Sequence, residues 1–311
     1  VTNQQINSII VDEKSFDVSF VYYAMQILGK KMNFISKTST AVPIVNKSSF
    51  SSYEIKCPPR EDQKRIAAVL SALDSKIECN KKINDNLEQQ AVALFKSWFV
   101  DFSLFGGTVP ENWEDTTLEN ITTLITRGIA PKYSDNSDQT VVNQKCIRNH
   151  TIDLSLARTH TPKAINEKWL KFGDLLINST GDGTLGRVAQ VWFAPKALTV
   201  DSHVTIVRPA REELIFYIGL WGILHEKEIE SLHTGSTGQT ELPRDRVKKL
   251  KLLLPDNISL SRFNSIIAPM ASTIISNQEE NQKITASRIR IYIFHSCRQF
   301  FYIKIFENTG K

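Results

Sequence analysis

An internal repeat at a shift of 197 residues restricts the possible folds of this chain more than any other feature of the sequence. The aligned positions share residue type, and they pair Ser39-Thr40 with Ser236-Thr237, Ile55 with Leu252, and Pro58 with Pro255. A helical pattern follows each of the two prolines. A loop, a proline and a helix that recur together predict two copies of one structural unit.

Both helical patterns place apolar residues at alternating steps of three and four, the heptad spacing of a helix-pairing seam. The first seam consists of Ile66, Leu70, Leu73, Ile77, Asn80, Asn84 and Leu87. The second seam consists of Phe263, Ile267, Met270, Ile274, Asn277, Asn281 and Ile284. A seam asparagine costs stability but fixes register, because its amide needs a polar partner. The two helices are therefore expected to pair as an antiparallel coiled coil in one chain or to pair between chains; the alternative is two unrelated amphipathic helices on separate cores.

The segment between the two helices has a mixed pattern. Alternating runs at residues 174–177, 187–193 and 203–207 predict half-buried strands. Residues 212–232 follow with the apolar spacing of a helix. Strands followed by a segregated helix favour an α+β fold with a globular domain over a doubly wound sheet.

The first 58 residues repeat only the second half of that pattern. Residues 5–11 correspond to the strand at 203–207, and residues 19–29 correspond to the helix after it. We therefore expect one complete domain and the C-terminal half of another. The expected segments are a half-domain at 1–58, a central helix at 59–105, a complete domain at 106–257, a distal helix at 258–287, and a basic, aromatic tail at 288–311.

Sequence patterns for catalysis or metal binding are weak in this chain. Gly181, Gly183 and Gly186 spell G-x-G-x-x-G, but a β-rich run follows them instead of the helix that a dinucleotide site requires. A tight turn between two strands is the better interpretation. No phosphate-binding G-x-x-x-x-G-K-[ST] loop occurs, and the six histidines lack ligand spacing. We therefore expect no catalytic residue, metal or cofactor in this chain.

The formal net charge of +5 points only weakly to nucleic acid. All of the excess lies in residues 283–311, because the preceding residues contain equal numbers of acidic and basic side chains. Recognition of DNA must then rest on local polar loops, since small hydroxyl, amide and guanidinium groups contact phosphates and base edges. The candidate DNA contacts are Arg127, Lys132, Tyr133, Asn178, Ser179, Thr180, Arg187, Thr234, Ser236, Thr237 and Gln239. The alternative is that the Gly/Ser/Thr loops are ordinary turns and the basic residues a solvated surface.

Several motifs together resemble the specificity subunits of type I restriction–modification enzymes. Residues 58–67, PPREDQKRIA, resemble the start of the family's central helix, and residues 94–99, LFKSWF, resemble its end. Residues 109–113, VPENW, resemble the entry to a target-recognition domain, and residues 173–177, GDLLI, resemble its strand before a turn. The resemblance covers residues 1 to about 287. It implies an N-terminally truncated specificity subunit whose tail is either a frameshift product or a lineage-specific end.

The resemblance implies a non-catalytic subunit that reads half of a bipartite double-stranded DNA target. Its expected partners are the modification (methyltransferase) subunits, the restriction subunit and a second specificity-type chain, with no membrane. S-adenosylmethionine, ATP and Mg are then expected in the partner subunits, and the expected location is the cytoplasm. Two alternatives stay open: a remnant or half-subunit that needs a second chain, and a stand-alone DNA endonuclease or methyltransferase.

Overall fold

The structure is a computed structural model that describes residues 7–37, 47–235, 240–295 and 301–304. These residues form a mixed helix and sheet architecture, which confirms the α+β prediction. Contacts divide the chain into two compact units. The first unit consists of Val1–Lys82 with Asn277–Lys311, and the second of Ile83–Ser276.

The described residues contain two long helices and five shorter ones. They are α1 (Val18–Lys37), α2 (Lys47–Ser51), α3 (Arg60–Phe99), α4 (Ile215–Leu224), α5 (Glu226–Ser231), α6 (Arg244–Lys248) and α7 (Asn257–His295). The strands of the described residues are β1 (Glu54–Cys57), β2 (Glu114–Thr117), β3 (Thr122–Arg127), β4 (Thr140–Val142), β5 (Ile147–Arg148), β6 (Thr151–Ile152), β7 (Arg158–Thr159), β8 (Leu175–Asn178), β9 (Val188–Gln190), β10 (Leu198–Val200), β11 (Val204–Pro209), β12 (Lys251–Leu254) and β13 (Phe301–Lys304).

The second unit is built around a four-stranded antiparallel sheet in the order β3-β11-β8-β9. A three-stranded sheet in the order β10-β4-β7 and two small pairs, β12-β2 and β5-β6, accompany it. Strand β8 is buried at every residue. Its run of Leu-Leu-Ile therefore faces apolar neighbours on both sides of the sheet.

The repeat is confirmed by the positions of the helices and strands. Helix α2 and helix α6 have the same length and lie 197 residues apart. Strands β1 and β12 are separated by the same number, and so are the first residues of α3 and α7. The two units thus contain the same helix–strand–helix arrangement.

The repeated elements also bury equivalent residues. In the first unit, the core includes Phe20, Tyr23, Ala24, Ile55, Ile66 and Leu70. The residues 197 positions later are Tyr217, Leu220, Trp221, Leu252, Phe263 and Ile267, and all six belong to the main core of the second unit. A second, smaller core in that unit lies around Leu176, Ala189 and Ile206 on the four-stranded sheet.

Two expectations about the helices need adjustment. The expected single helix at 212–232 is divided at His225, whose ring nitrogen Nδ1 lies 2.8 Å from the Trp221 carbonyl oxygen and whose ring stacks on Trp221. This residue has φ −100° and ψ 14°, outside the helical region, so α4 ends before it and α5 begins after it. Helix α7 continues past residue 287 to His295, although its heptad pattern does not.

The expected strand at residues 5–11 does not form at residues 7–11. Its counterpart β11 is held by backbone hydrogen bonds from β3 and β8. The described residues of the first unit contain no equivalents of those two strands, and Ile10 is 88% exposed. In the tail, the backbone of β13 pairs antiparallel with β1.

Candidate nucleic-acid interface

The loops of the four-stranded sheet meet at one end of it. The last residue of β8, Asn178, lies opposite Val204, the first residue of β11. The last residue of β3, Arg127, lies opposite Thr205, and β9 begins with Val188 beside Ile177. The antiparallel register therefore brings the connections of all four strands to the same end of the sheet. We call the surface formed by residues 143–144, 179–187, 201–203, 233–235 and 240–242 the loop end.

The connection between β8 and β9 is a turn that depends on glycine. Gly181, Gly183 and Gly186 have φ values of 102°, 67° and 85°, a region that side chains with a Cβ rarely adopt. A Cβ on Gly186 would approach the Glu230 Cβ to 2.6 Å. A strand follows the turn, so the structure confirms a tight turn in place of a dinucleotide-binding loop.

A hydrogen-bonded group of three polar side chains lies at the loop end. The Thr180 hydroxyl oxygen lies 2.7 Å from Nδ1 of His203 and 3.2 Å from Oε1 of Gln144. His203 is exposed, whereas Thr180 and Gln144 are half-buried. Only Thr180 was a sequence candidate, because no motif or spacing marks the other two. Their proximity arises from strand register.

Asp201 fixes the backbone of His203. The His203 N–H donates to Oδ1 of Asp201 over 2.9 Å. The Asp201 side chain is 4% exposed, and its burial raises the pKa of this carboxyl above the ordinary value. Asp201 is therefore a buried residue that fixes the backbone of the loop end.

Two of the candidate DNA contacts are interior residues. Asn178 and Ser179 have no exposed surface. The Asn178 amide donates to the Gln144 carbonyl over 3.0 Å, and the Ser179 and Thr205 hydroxyls are 2.5 Å apart. These buried side chains connect the loops to each other and to β11. Asn178 and Ser179 therefore support the loop end and do not reach DNA from its surface, contrary to expectation.

The basic candidates at the loop end also have partners within the chain. Arg127 forms a 2.6 Å ion pair with Glu241 and donates to the Leu242 carbonyl. Arg187 donates to the Gly183 carbonyl across its own turn. Thr234 is exposed and pairs with Glu241 through backbone hydrogen bonds. Ser236, Thr237 and Gln239 lie outside the described residues.

The other two candidates lie on the segment between β3 and β4. Lys132 is exposed, and the guanidinium of Arg158 lies 3.6 Å from the ring centroid of Tyr133. Tyr133 also forms a backbone bridge with His160. Lys132 and Tyr133 thus form a second exposed basic and aromatic position of the second unit, and their contact with DNA stays a prediction.

The seam residues of the long helices lie on buried or half-buried faces. In the first unit, the Asn80 amide donates to Oδ1 of Asn281 over 2.9 Å and to Oε2 of Glu280 over 2.8 Å. In the second unit, the Asn84 amide donates to the Ile274 carbonyl. Asn80 and Asn84 thus donate hydrogen bonds to residues of the other helix, while pairing along the whole seam as a coiled coil stays a prediction.

The seam continues into apolar packing at the ends of both helices. Its members in the first unit include Ile66, Leu70, Leu73 and Ile77. In the second unit the apolar seam residues are Leu87, Phe263, Ile267, Met270 and Ile274, while Asn277 and Ile284 are half-buried in the first unit.

No group of three His, Cys, Asp or Glu side chains in the described part of the chain could hold a metal ion. No described helix is long and apolar enough to cross a membrane.

Comparison with known proteins identifies relatives of one kind. Residues 1–89 match the family "Type I restriction modification DNA specificity domain". A type I restriction enzyme specificity subunit of Methanocaldococcus jannaschii is 27% identical over 307 residues, covering 90% of this chain and 68% of that protein. The HindI specificity subunit of Haemophilus influenzae is 47% identical over 72 residues, which cover 23% of this chain and 16% of that subunit.

A solved structure shows the same fold. The type I restriction–modification S subunit from M. genitalium aligns with a TM-score of 0.50 and 16% identity, covering 96% of this chain and 75% of that one. The family match and the sequence relatives confirm the resemblance to type I specificity subunits that the motifs indicated.

Proposed function

We infer that this chain is the DNA sequence-recognition subunit of a type I restriction–modification system. The observation that carries the inference is the similarity to a specificity subunit over 90% of the chain, joined to the specificity-domain match at its start. Specificity subunits are non-catalytic components of such complexes. The chain therefore supplies recognition, and other subunits supply chemistry.

The recognition domain at 106–257 is proposed to read one half of a bipartite double-stranded target. The loop end supports this, since small polar side chains there are held by a rigid sheet and its supporting hydrogen bonds. Polar groups on rigid elements can contact base edges with the required precision. The two long helices are proposed to separate the half-sites and to bind the modification subunits.

The partners are proposed to carry the reactions. Modification subunits would bind S-adenosylmethionine and methylate adenine, and a restriction subunit would use ATP and Mg to cleave DNA. A second specificity-type chain is a further proposed partner. Because DNA is the substrate, the proposed location is the cytoplasm.

Purification of the full chain with its cognate modification subunit tests the proposal. The complex is incubated with a pool of randomised duplexes, and the retained duplexes are sequenced. We expect a stable complex and enrichment of a split motif. A complex that forms but enriches no motif, or a chain that does not co-purify with the modification subunit, would contradict the proposed function.

A further inference from the structure

The polar group formed by Gln144, Thr180 and His203 is arranged as a relay of hydrogen bonds. Thr180 has one hydroxyl proton and two polar neighbours, Nδ1 of His203 at 2.7 Å and Oε1 of Gln144 at 3.2 Å. The Gln144 oxygen can only accept. Both contacts are satisfied together when His203 Nδ1–H donates to Thr180 and the Thr180 hydroxyl donates to Gln144.

This relay determines what the group offers to a ligand. A neutral imidazole with its proton on Nδ1 has a bare acceptor at Nε2. Gln144, whose oxygen is engaged, offers the two protons of its Nε2 amide. Among the described residues, neither His203 Nε2 nor Gln144 Nε2 has a hydrogen-bond partner. The group therefore offers one donor and one acceptor.

Two further features hold the relay in place. Gly181 allows the approach of Gln144, since a Cβ at this position would lie 2.7 Å from the Gln144 Oε1. Asp201 holds the backbone N–H of His203, and Asn178 donates to the backbone carbonyl of Gln144. The group is thus pre-organised by buried residues, as a specificity site requires.

We propose that Gln144 and His203, oriented by Thr180, read one adenine of the target through the major groove. Adenine presents an acceptor, N7, beside a donor, the N6 amino group. Gln144 donates to N7 and His203 Nε2 accepts from N6. Guanine presents two acceptors, cytosine only a donor, and thymine an acceptor beside a methyl group, so no other single base satisfies both protein groups. This proposal rests on the proposed function and deepens it.

The test compares motifs selected by variants of the full chain in complex with its modification subunit. Gln144→Glu replaces the amide donor by an acceptor of the same shape, and His203→Ala removes the acceptor. Thr180→Val removes the relay, whereas Thr180→Ser keeps the hydroxyl. Glu119→Ala is the control, because Glu119 is an exposed residue before the start of β3, away from the loop end and from both long helices.

The wild-type complex is expected to require adenine at one position of one half-site. Gln144→Glu, His203→Ala and Thr180→Val are expected to lose that preference and to bind the original site roughly 10- to 100-fold more weakly. Thr180→Ser and Glu119→Ala should retain the motif. Thermal unfolding of each variant separates lost recognition from lost folding.

The possible outcomes distinguish this proposal from the function on which it rests. If the wild-type complex enriches no motif, the proposed function fails. If the wild type enriches a motif that folded Gln144→Glu and His203→Ala variants retain, the adenine-reading role fails alone. A uniform loss of affinity with an unchanged motif would also overturn it, because that result indicates phosphate contact instead of base reading.

Discussion

At the scale of single residues, His150 joins three elements of the second unit. It lies in the turn between β5 and β6, with Nδ1 2.8 Å from Glu88 on α3 and Nε2 3.1 Å from Glu226 on α5. Both ring nitrogens face carboxylates, so the charged imidazole donates to each. These hydrogen bonds raise the pKa of His150 to about 9.

This geometry predicts a pH-dependent contribution to stability. Because the folded-state pKa lies above the ordinary value of 6.5, the contribution is complete below about pH 6.5 and is lost as the pH rises through about 9. The side chain is 30% exposed, so solvent screening reduces the contribution to about 1–2 kcal/mol. His150→Asn removes the charge but suits the residue's φ of 56°, since asparagine tolerates this region.

Thermal unfolding of both proteins between pH 6 and pH 10 measures the effect. The wild type is expected to lose more stability across this range than His150→Asn, and the two curves should converge at high pH. Parallel curves would contradict the assigned ion pairs.

A second residue-scale prediction concerns Gly181. Alanine there is strained at φ 102° and would displace Gln144, with Thr184 also in its way at 2.4 Å. We expect Gly181→Ala to lower the free energy of unfolding by about 1–3 kcal/mol and to weaken sequence selection. Gly183→Ala is the matched control for backbone strain, because no atom lies within 4 Å of the added Cβ. Equal motif selection by the two variants would show that displacement of Gln144 does not affect sequence selection.

The repeat and the seam could be predicted from the sequence, because apolar periodicity and proline positions are local signals. The relay at the loop end was not, since Gln144, Thr180 and His203 come together only through the register of separate strands. For the same reason, Asn178 and Ser179 looked like surface donors although they are buried. A polar residue beside a glycine-rich turn gives no local sign of which way it faces.

At the scale of elements, the seam asparagines of α3 and α7 explain how two similar helices select a register. Asn80 has no exposed surface, and its NH2 group donates to Asn281 and Glu280, while its Oδ1 has no hydrogen-bond partner among the described residues. The same first unit contains ion pairs between Lys76 and Glu280 and between Asp74 and Arg288. Within this unit, the helix residues therefore meet in antiparallel order.

Replacement of the seam asparagines tests this role. Asn80→Leu should lower the free energy of unfolding by about 1–3 kcal/mol, because the side-chain oxygen Oδ1 of Asn281 then loses the donor that Asn80 supplies. The double variant Asn80→Leu/Asn281→Leu should recover that loss, since a leucine pair suits an apolar seam. A double-mutant cycle from denaturant unfolding measures the coupling. Additive effects of the two single changes would show that the pair does not select the register.

Helix α7 also shows the limit of spacing as a signal. Its heptad pattern ends near Ile284, yet the helix continues to His295. The sequence predicted the change of pattern but not the persistence of the helix, since backbone hydrogen bonds tolerate a change of side chains. By contrast, the break at His225 depends on one ring binding the Trp221 carbonyl, a contact that apolar spacing does not encode.

At the scale of the whole molecule, the chain combines a repeated helical framework with one domain, at 106–257, that is proposed to recognise DNA. Both long helices belong to the repeat, and residues 197 positions apart are buried in the cores of the two units. In the second unit, Phe95, Trp98 and Phe99 of α3 pack against Phe263 of α7. These aromatic contacts place the end of α3 in the core of the second unit.

Removal of one of these rings tests the structural importance of that core. Phe263 is fully buried, so Phe263→Ala should lower the free energy of unfolding by about 3–5 kcal/mol. Ile266→Ala, at a 40% exposed position on the same helix, is the matched control and should change it by less than about 1 kcal/mol. Similar losses in both variants, measured by urea unfolding, would contradict the burial of Phe263 in this core.

The central claim is that this chain selects DNA sequence for a type I complex. The most direct measurement is selection of randomised duplexes by the complex of the full chain with its modification subunit, in parallel with the modification subunit alone. We predict a split motif that appears only when this chain is present. Enrichment of the same motif without the chain, or of no motif with it, would contradict the claim.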